Sequence, residues 1–139
     1  MSPSNYHSMI MGMIVYEIMK NEKFRAKPEL SIVIDGDEHI PDISVYKREK
    51  ANYGKKKDTV KVEEIPLLAI EILSPNQTIG NLYDKADIYL QAGIRSVWIV
   101  QPMAHTITVM AESDVRFAHQ GILEDVTGVK VDLGIIFED

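Results

Sequence analysis

The segment Leu67–Leu73, LLAIEIL, is apolar at every position but one. A run of this length and composition suits a strand covered on both faces, which requires a layered molecule with a sheet at its centre. Ser74-Pro75-Asn76 closes the run. A helix is expected from about Gly80 to Ala92, with Gly93 as its C-terminal stop. The exception inside the strand is Glu71. A carboxylate there is costly unless a metal ion, a lysine or backbone N–H groups satisfy it. The alternative is a face shared by Leu67, Ala69, Glu71 and Leu73 that opens to water at the strand end, and the apolar character of the run speaks against it.

Around this strand the hydrophobic periodicity lays out the other elements. Ser4 or Asn5 is suited to cap a first helix reaching to about Asn21, with Ile10, Met13, Ile14 and Ile18 on one face. Leu30–Asp35 reads as a strand ending in the turn signal Asp35-Gly36-Asp37, and Ile40–Tyr46 as the strand that returns to form a hairpin with it. Ser96–Val100 and His105–Met110 are expected to form a second hairpin. Weaker strand signals follow at Val115–Phe117 and Val129–Leu133. The order helix, strands, helix, strands predicts an α/β (α+β) fold, a mixed central sheet flanked by helices. The 139 residues are read as one domain over 1–139.

Two further charged residues stand out beside Glu71. Asp42 follows Pro41 at a strand start; Pro-Asp is an ordinary turn dipeptide, but two carboxylates on neighbouring strands can share one hard divalent cation. Lys85 lies three residues after Leu82 and four before Tyr89, so it falls on the apolar face of its helix. Either its stem packs while the ammonium escapes to water, or the ammonium is aimed at the two carboxylates.

Composition narrows the function classes. The chain has no cysteine, which excludes a disulfide scaffold, a thiol nucleophile and thiolate zinc sites and fits a cytoplasmic protein. No apolar run reaches the roughly 20 residues of a membrane span. Met9–Tyr16 has the length of a signal core but neither the basic start nor the cleavage site, and is read as helix. The net charge of −6 opposes a general nucleic-acid or membrane binder. Within it, Lys47, Arg48, Lys50, Lys55, Lys56 and Lys57 oppose only Glu49, a local net of +5. Because this segment leaves the strand that follows Asp42, it is expected near that residue, as a solvated loop or a phosphate-binding one, with Tyr53 available to stack on a base. The four histidines lack close metal-ligand spacing, and Ser74 lacks a GxSxG context.

IPDISV, LLAIEILSPN and NLYDKADIYLQAGIRSVWIVQP, together with the helix entry SPSNYH, resemble the Uma-type family of restriction-endonuclease-like proteins within the PD-(D/E)XK nuclease superfamily. The resemblance covers most of residues 1–110. It implies that Asp42 is the PD aspartate and Glu71 the metal-binding glutamate. It also implies that Lys85 replaces the superfamily lysine, whose usual place is taken by Leu73. Asp42, Glu71 and the carbonyl of Ile72 would then hold Mg²⁺ or Mn²⁺, DNA would be the substrate, and a homodimer would be the assembly. His7, at the family's helix entry, is assigned a capping role, with a place near the site as the alternative. Glu17 is assigned to a solvated helix face, with accessory membership of the site as the alternative. The chain departs from the family pattern at Asn81, where an acid is common, and at Gln101, where the strand usually ends Val-Asp-Pro. The function expected is metal-dependent hydrolysis of DNA phosphodiester bonds. The competing expectations are a catalytically weak nucleic-acid or protein interaction module and a purely structural oligomer built from the strands after Ser96.

Overall fold

Ser4 starts the first helix, α1 (Asn5–Met19): its side chain accepts a hydrogen bond from the His7 backbone N–H, one of the donors a helix start leaves unpaired. The computed structural model describes residues 4–51, 54 and 57–138. Tyr53, Lys55 and Lys56 of the basic segment therefore lie outside the described residues. Ile10, Ile14 and Ile18, each one turn apart, are buried. α1 is followed by β1 (Phe24–Pro28), which the hydrophobic pattern did not announce.

β2 (Ser31–Ile34) and β3 (Asp37–His39) form a tight hairpin across Asp35 and Gly36. Both turn residues have positive φ, 50° and 83°, as a two-residue hairpin turn of this kind needs. This corrects the expected pairing of Leu30–Asp35 with Ile40–Tyr46. The two-residue turn reverses the chain at once, so the polar Asp37–His39 becomes the return strand. β4 (Ile43–Lys47) is then free to pair antiparallel with β1, from Phe24↔Lys47 to Pro28↔Ile43.

After a 3-10 turn at Arg48–Lys50, the short β5 (Lys61–Val62) runs parallel to β2, giving a small sheet β3-β2-β5. β6 (Leu68–Ile72) is buried along its whole length. α2 (Ile79–Gln91), capped by Thr78, crosses from β6 to the parallel β7 (Ser96–Gln101). Gly93, at φ 98°, ends α2 as expected. β7 pairs antiparallel with β8 (Thr106–Ala111), the expected second hairpin, and β8 with β9 (Asp114–Ala118). A second small sheet, β10 (Ile122–Glu124) with β11 (Lys130–Asp132), leads into the short helix α3 (Leu133–Ile136).

The main sheet thus runs β1-β4-β6-β7-β8-β9. It is mixed, because β6 and β7 are parallel and the other pairs antiparallel. Alternation along the strands separates two cores. Leu68, Ile70, Ile72, Trp98 and Val100 pack on the α1 side, whereas Ala69, Val97 and Ile99 pack with Leu82, Ala86 and Tyr89 of α2. The indole N–H of Trp98 donates to Asp125 Oδ2 at 2.8 Å, which ties the β10–β11 region to the first core. No helix among the described residues is long and apolar enough to cross a membrane.

Candidate active site

β4 and β6 are neighbours in register Ile43↔Ile70, so Asp42, immediately before β4, falls beside Glu71. Pro41 and the bend at Asp42 stop the backbone ladder at this point, and the Asp42 side chain takes over. Its Oδ2 accepts the Ile72 N–H at 2.7 Å. The N–H and C=O of one residue leave an extended strand by the same edge, so the Ile72 carbonyl opens on the side that Asp42 occupies. Asp42 Oδ2 also lies 3.1 Å from His7 Nε2. A carboxylate only accepts, which places the ring proton on Nε2. Oδ1 has no hydrogen-bond partner among the described residues, and the side chain is 20% exposed.

Glu71 points the other way from Ile70 and Ile72, toward α2. It is 2% exposed. Its Oε2 accepts from the buried Tyr89 hydroxyl at 2.7 Å, and Oε1 faces Lys85 Nζ at 3.7 Å. Burial above all, then the charge of Asp42, pushes the Glu71 carboxyl up to about 7, while Tyr89 and Lys85 act against the rise. Burial and the adjacent carboxylate also move the Tyr89 hydroxyl well above its ordinary range. Edge-on to Tyr89 stands the His39 ring, 6.1 Å between centroids. The Lys85 side chain is 41% exposed, so both readings of it hold in part: its stem packs on the helix face, and its ammonium stands at the water boundary against Glu71.

The expected metal ligands would offer only oxygen: Asp42 Oδ1, Glu71 Oε1 and the Ile72 carbonyl. Hard oxygen donors and one or two carboxylates are what Mg²⁺ accepts, its remaining positions being filled by water or substrate. A carboxyl driven up by burial first and by a second carboxylate next is also a place where a cation is electrostatically welcome. The residues fit such an ion. No group of three or more His, Asp or Glu side chains converges as a metal cluster among the described residues.

A family model named Uma2 and described as "Putative restriction endonuclease" matches residues 1–135. The chain belongs to the Uma2 family. A crystal structure described as "a putative nuclease belonging to DUF820" from Anabaena variabilis superposes on this Uma2 chain with a TM-score of 0.80. The match covers 99% of this chain and 83% of that one at 20% identity, a likeness of fold. A cryo-EM structure of a DrdV–DNA complex reaches a TM-score of 0.49 at 11% identity over 91% of this chain and 10% of that one, a level that carries no argument. No curated protein matches the sequence.

The remaining predicted residues of the Uma2 chain, His7 apart, lie away from Asp42 and Glu71. Glu17 is neither solvated nor near Asp42. It sits ten residues along α1 from His7, roughly 15 Å by the rise of a helix. It is buried, with Oε1 accepting from the Asp132 N–H at 2.9 Å and Oε2 2.6 Å from Lys20 Nζ. His7 does not serve as the cap. That task falls to Ser4, and the imidazole meets Asp42 instead. Lys47, Arg48 and Lys50 are exposed at the far end of β4. Lys47, the nearest of them, lies five residues along the extended chain from Asp42, about 17 Å, so the basic segment does not start beside the carboxylates. Lys57 is also exposed. The sequence pattern did not single out Tyr89 or His39. A buried tyrosine hydroxyl needs a partner, and Tyr89 lies one turn beyond Lys85 on the same helix face, which was the available signal.

Proposed function

We propose that this Uma2 chain is a divalent-cation-dependent nuclease that hydrolyses DNA phosphodiester bonds. The observation that carries the reading is Glu71: a carboxylate 2% exposed, in the middle of the sheet, with Asp42 and Lys85 on its two sides. Nothing in the packing of a sheet calls for such a group, and its burial is unfavourable. Membership of a restriction endonuclease family supports the reading.

Asp42, Glu71 and the Ile72 carbonyl would hold Mg²⁺ or Mn²⁺. When bound, the ion supplies positive charge to the phosphate and lowers the pKa of the attacking water. The chain's own residues hold the donors in place. The Ile72 N–H and His7 Nε2–H fix Asp42 through Oδ2 and leave Oδ1 outward. The Tyr89 hydroxyl occupies Glu71 Oε2 and leaves Oε1 toward Lys85. The Lys85 ammonium, half in water, is placed to offset negative charge that develops on the phosphate oxygens.

A second reading, a catalytically weak interaction module, is favoured by Asn81 and Gln101. Both replace acids of the family pattern, Asn81 exposed at the start of α2 and Gln101 at the end of β7. Purified protein incubated with supercoiled DNA and Mg²⁺ or Mn²⁺ separates the two. Nicking is expected, with Glu71→Gln and Asp42→Asn each losing at least about a hundredfold. Cleavage that survives Glu71→Gln unchanged overturns the assigned site. DNA binding without cleavage favours the second reading.

A further inference from the structure

The C-terminal ends of the parallel strands β6 and β7 open on a cavity of about 230 Å³. Ile72 is paired with Val100, and the Leu73 N–H donates to the Val100 carbonyl at 2.9 Å. Leu73 and Gln101 come next along the two chains, and both line the cavity. Pro75 joins them from the segment after β6, Pro102 and Met103 from the β7–β8 turn, and Tyr6 from the first turn of α1. The β7–β8 turn is closed by the His105 N–H, which donates to the Pro102 carbonyl at 3.2 Å. The walls are mainly apolar, with few polar groups, as in small-ligand sites. The volume falls below the roughly 300–1,000 Å³ of sites for drug-sized ligands and suits a single ring system.

Two walls of this cavity start beside the carboxylates. Leu73 follows Ile72, whose N–H is bonded to Asp42, and Tyr6 precedes His7, whose imidazole meets the same Asp42 oxygen. Folding does not account for the side chains at the mouth. Tyr6 is 50% exposed and Met103 82% exposed. The Tyr6 hydroxyl and the Gln101 amide have no hydrogen-bond partner among the described residues. An exposed aromatic ring stacks on the face of any base, and an amide offers a base edge both a donor and an acceptor. Gln101 stands where the family strand usually ends in aspartate. A carboxylate there only accepts and repels phosphate; the amide carries no charge and can donate as well.

We propose that this cavity receives one unpaired nucleobase of the strand being cleaved, with the Tyr6 ring on its face and the Gln101 amide on its edge. The assignment rests on the nuclease reading, which supplies the strand, and it names the substrate class: DNA in which a nucleotide at the cleavage site is unpaired. A base inside a duplex is stacked on both faces and bonded to its partner. It reaches such a cavity only from a single strand or by extrusion from a weakened pair. The apolar walls take the ring out of water, and the phosphate of the same strand lies toward Asp42 and Glu71.

Fluorescence anisotropy with short labelled strands, in low salt with EDTA so that nothing is cut, tests it. A single-stranded oligonucleotide is expected to bind at least about fivefold more tightly than an abasic deoxyribose-phosphate strand of the same length. Tyr6→Ala is expected to remove that difference and leave the affinity for the abasic strand at the wild-type value. Gln101→Leu is expected to weaken binding of the base-bearing strand about two- to tenfold. Both side chains lie outside the core, so melting temperature and circular dichroism should stay near wild type. Competition by a duplex with one mismatched pair supports extrusion as the source of the base; competition by single strands alone supports the single strand. A fully paired duplex that competes as well as either overturns the proposal. So does a wild type that binds the two strands alike or binds neither, or a Tyr6→Ala variant that keeps the difference. Base-dependent binding without cleavage in Mg²⁺ would keep the cavity and remove the nuclease reading; cleavage without base-dependent binding would do the reverse.

Discussion

Glu71 sets folding against chemistry. Its carboxyl titrates near 4.5 when exposed, and burial followed by the charge of Asp42 raises it to about 7. Between these values the folded protein retains a proton that the unfolded chain has released, so stability falls as the pH rises through that window. The full loss, reached above about 7, is of order 3 kcal/mol. Glu71→Gln keeps an acceptor for Tyr89 and removes the charge. It is expected to stabilise the protein by up to about 3 kcal/mol at about pH 8 and hardly at all at about pH 5, measured by urea unfolding. An equal gain at both pH values would mean that the carboxylate is not held against its burial. Glu71 and Lys85 were legible in the sequence because a charge in an apolar run or on an apolar helix face is an anomaly of composition; Asp42, in an ordinary Pro-Asp dipeptide, stood out only beside Glu71. Tyr89 was not, because a tyrosine on a buried helix face looks like ordinary core, and the acceptor that gives it meaning stands 18 residues earlier. His7 was read first as a capping residue, with a place near the site as the alternative; its contact is with Asp42, 35 residues away.

Among the elements, α1, β6, α2 and β7 were readable because each carries a full period of buried side chains. β1 was not. FRAKP has one fully buried side chain and sits on an edge, so no alternation marks it. The same blindness produced the mistaken hairpin, since Asp37–His39 offers no apolar residue to suggest a strand. Glu17 shows how an element can be held by a charge that belongs to no site. Its Oε1 satisfies the Asp132 N–H and so fastens α1 to β11. Glu17→Ala is expected to cost about 1–3 kcal/mol in chemical unfolding, because it leaves that N–H without its acceptor. Mg²⁺ affinity by calorimetry should stay at the wild-type value. A fall in affinity matching that of Asp42→Asn would instead make Glu17 an accessory of the site.

At the scale of the molecule, the overall charge of −6 hides an uneven layout. The exposed Lys47, Arg48 and Lys50 stand at one end of β4 and the carboxylates at the other. A duplex long enough to touch both must span about 17 Å, or some five base pairs. Replacing these three residues by alanine is expected to flatten the salt dependence of DNA binding by up to about 0.9 in log–log slope for each phosphate no longer neutralised. The effect should vanish on duplexes shorter than that span. A slope unchanged on long DNA would leave the segment a solvated surface.

The bond from Glu17 to Asp132 spans 115 residues, and the helix it fastens is the one that carries His7 to Asp42. α1 is made before every strand of the sheet, yet its seat is finished by β11 and α3, which follow all of them. During synthesis Asp42 and Glu71 therefore emerge before Asp132, whose N–H fastens the helix that carries His7.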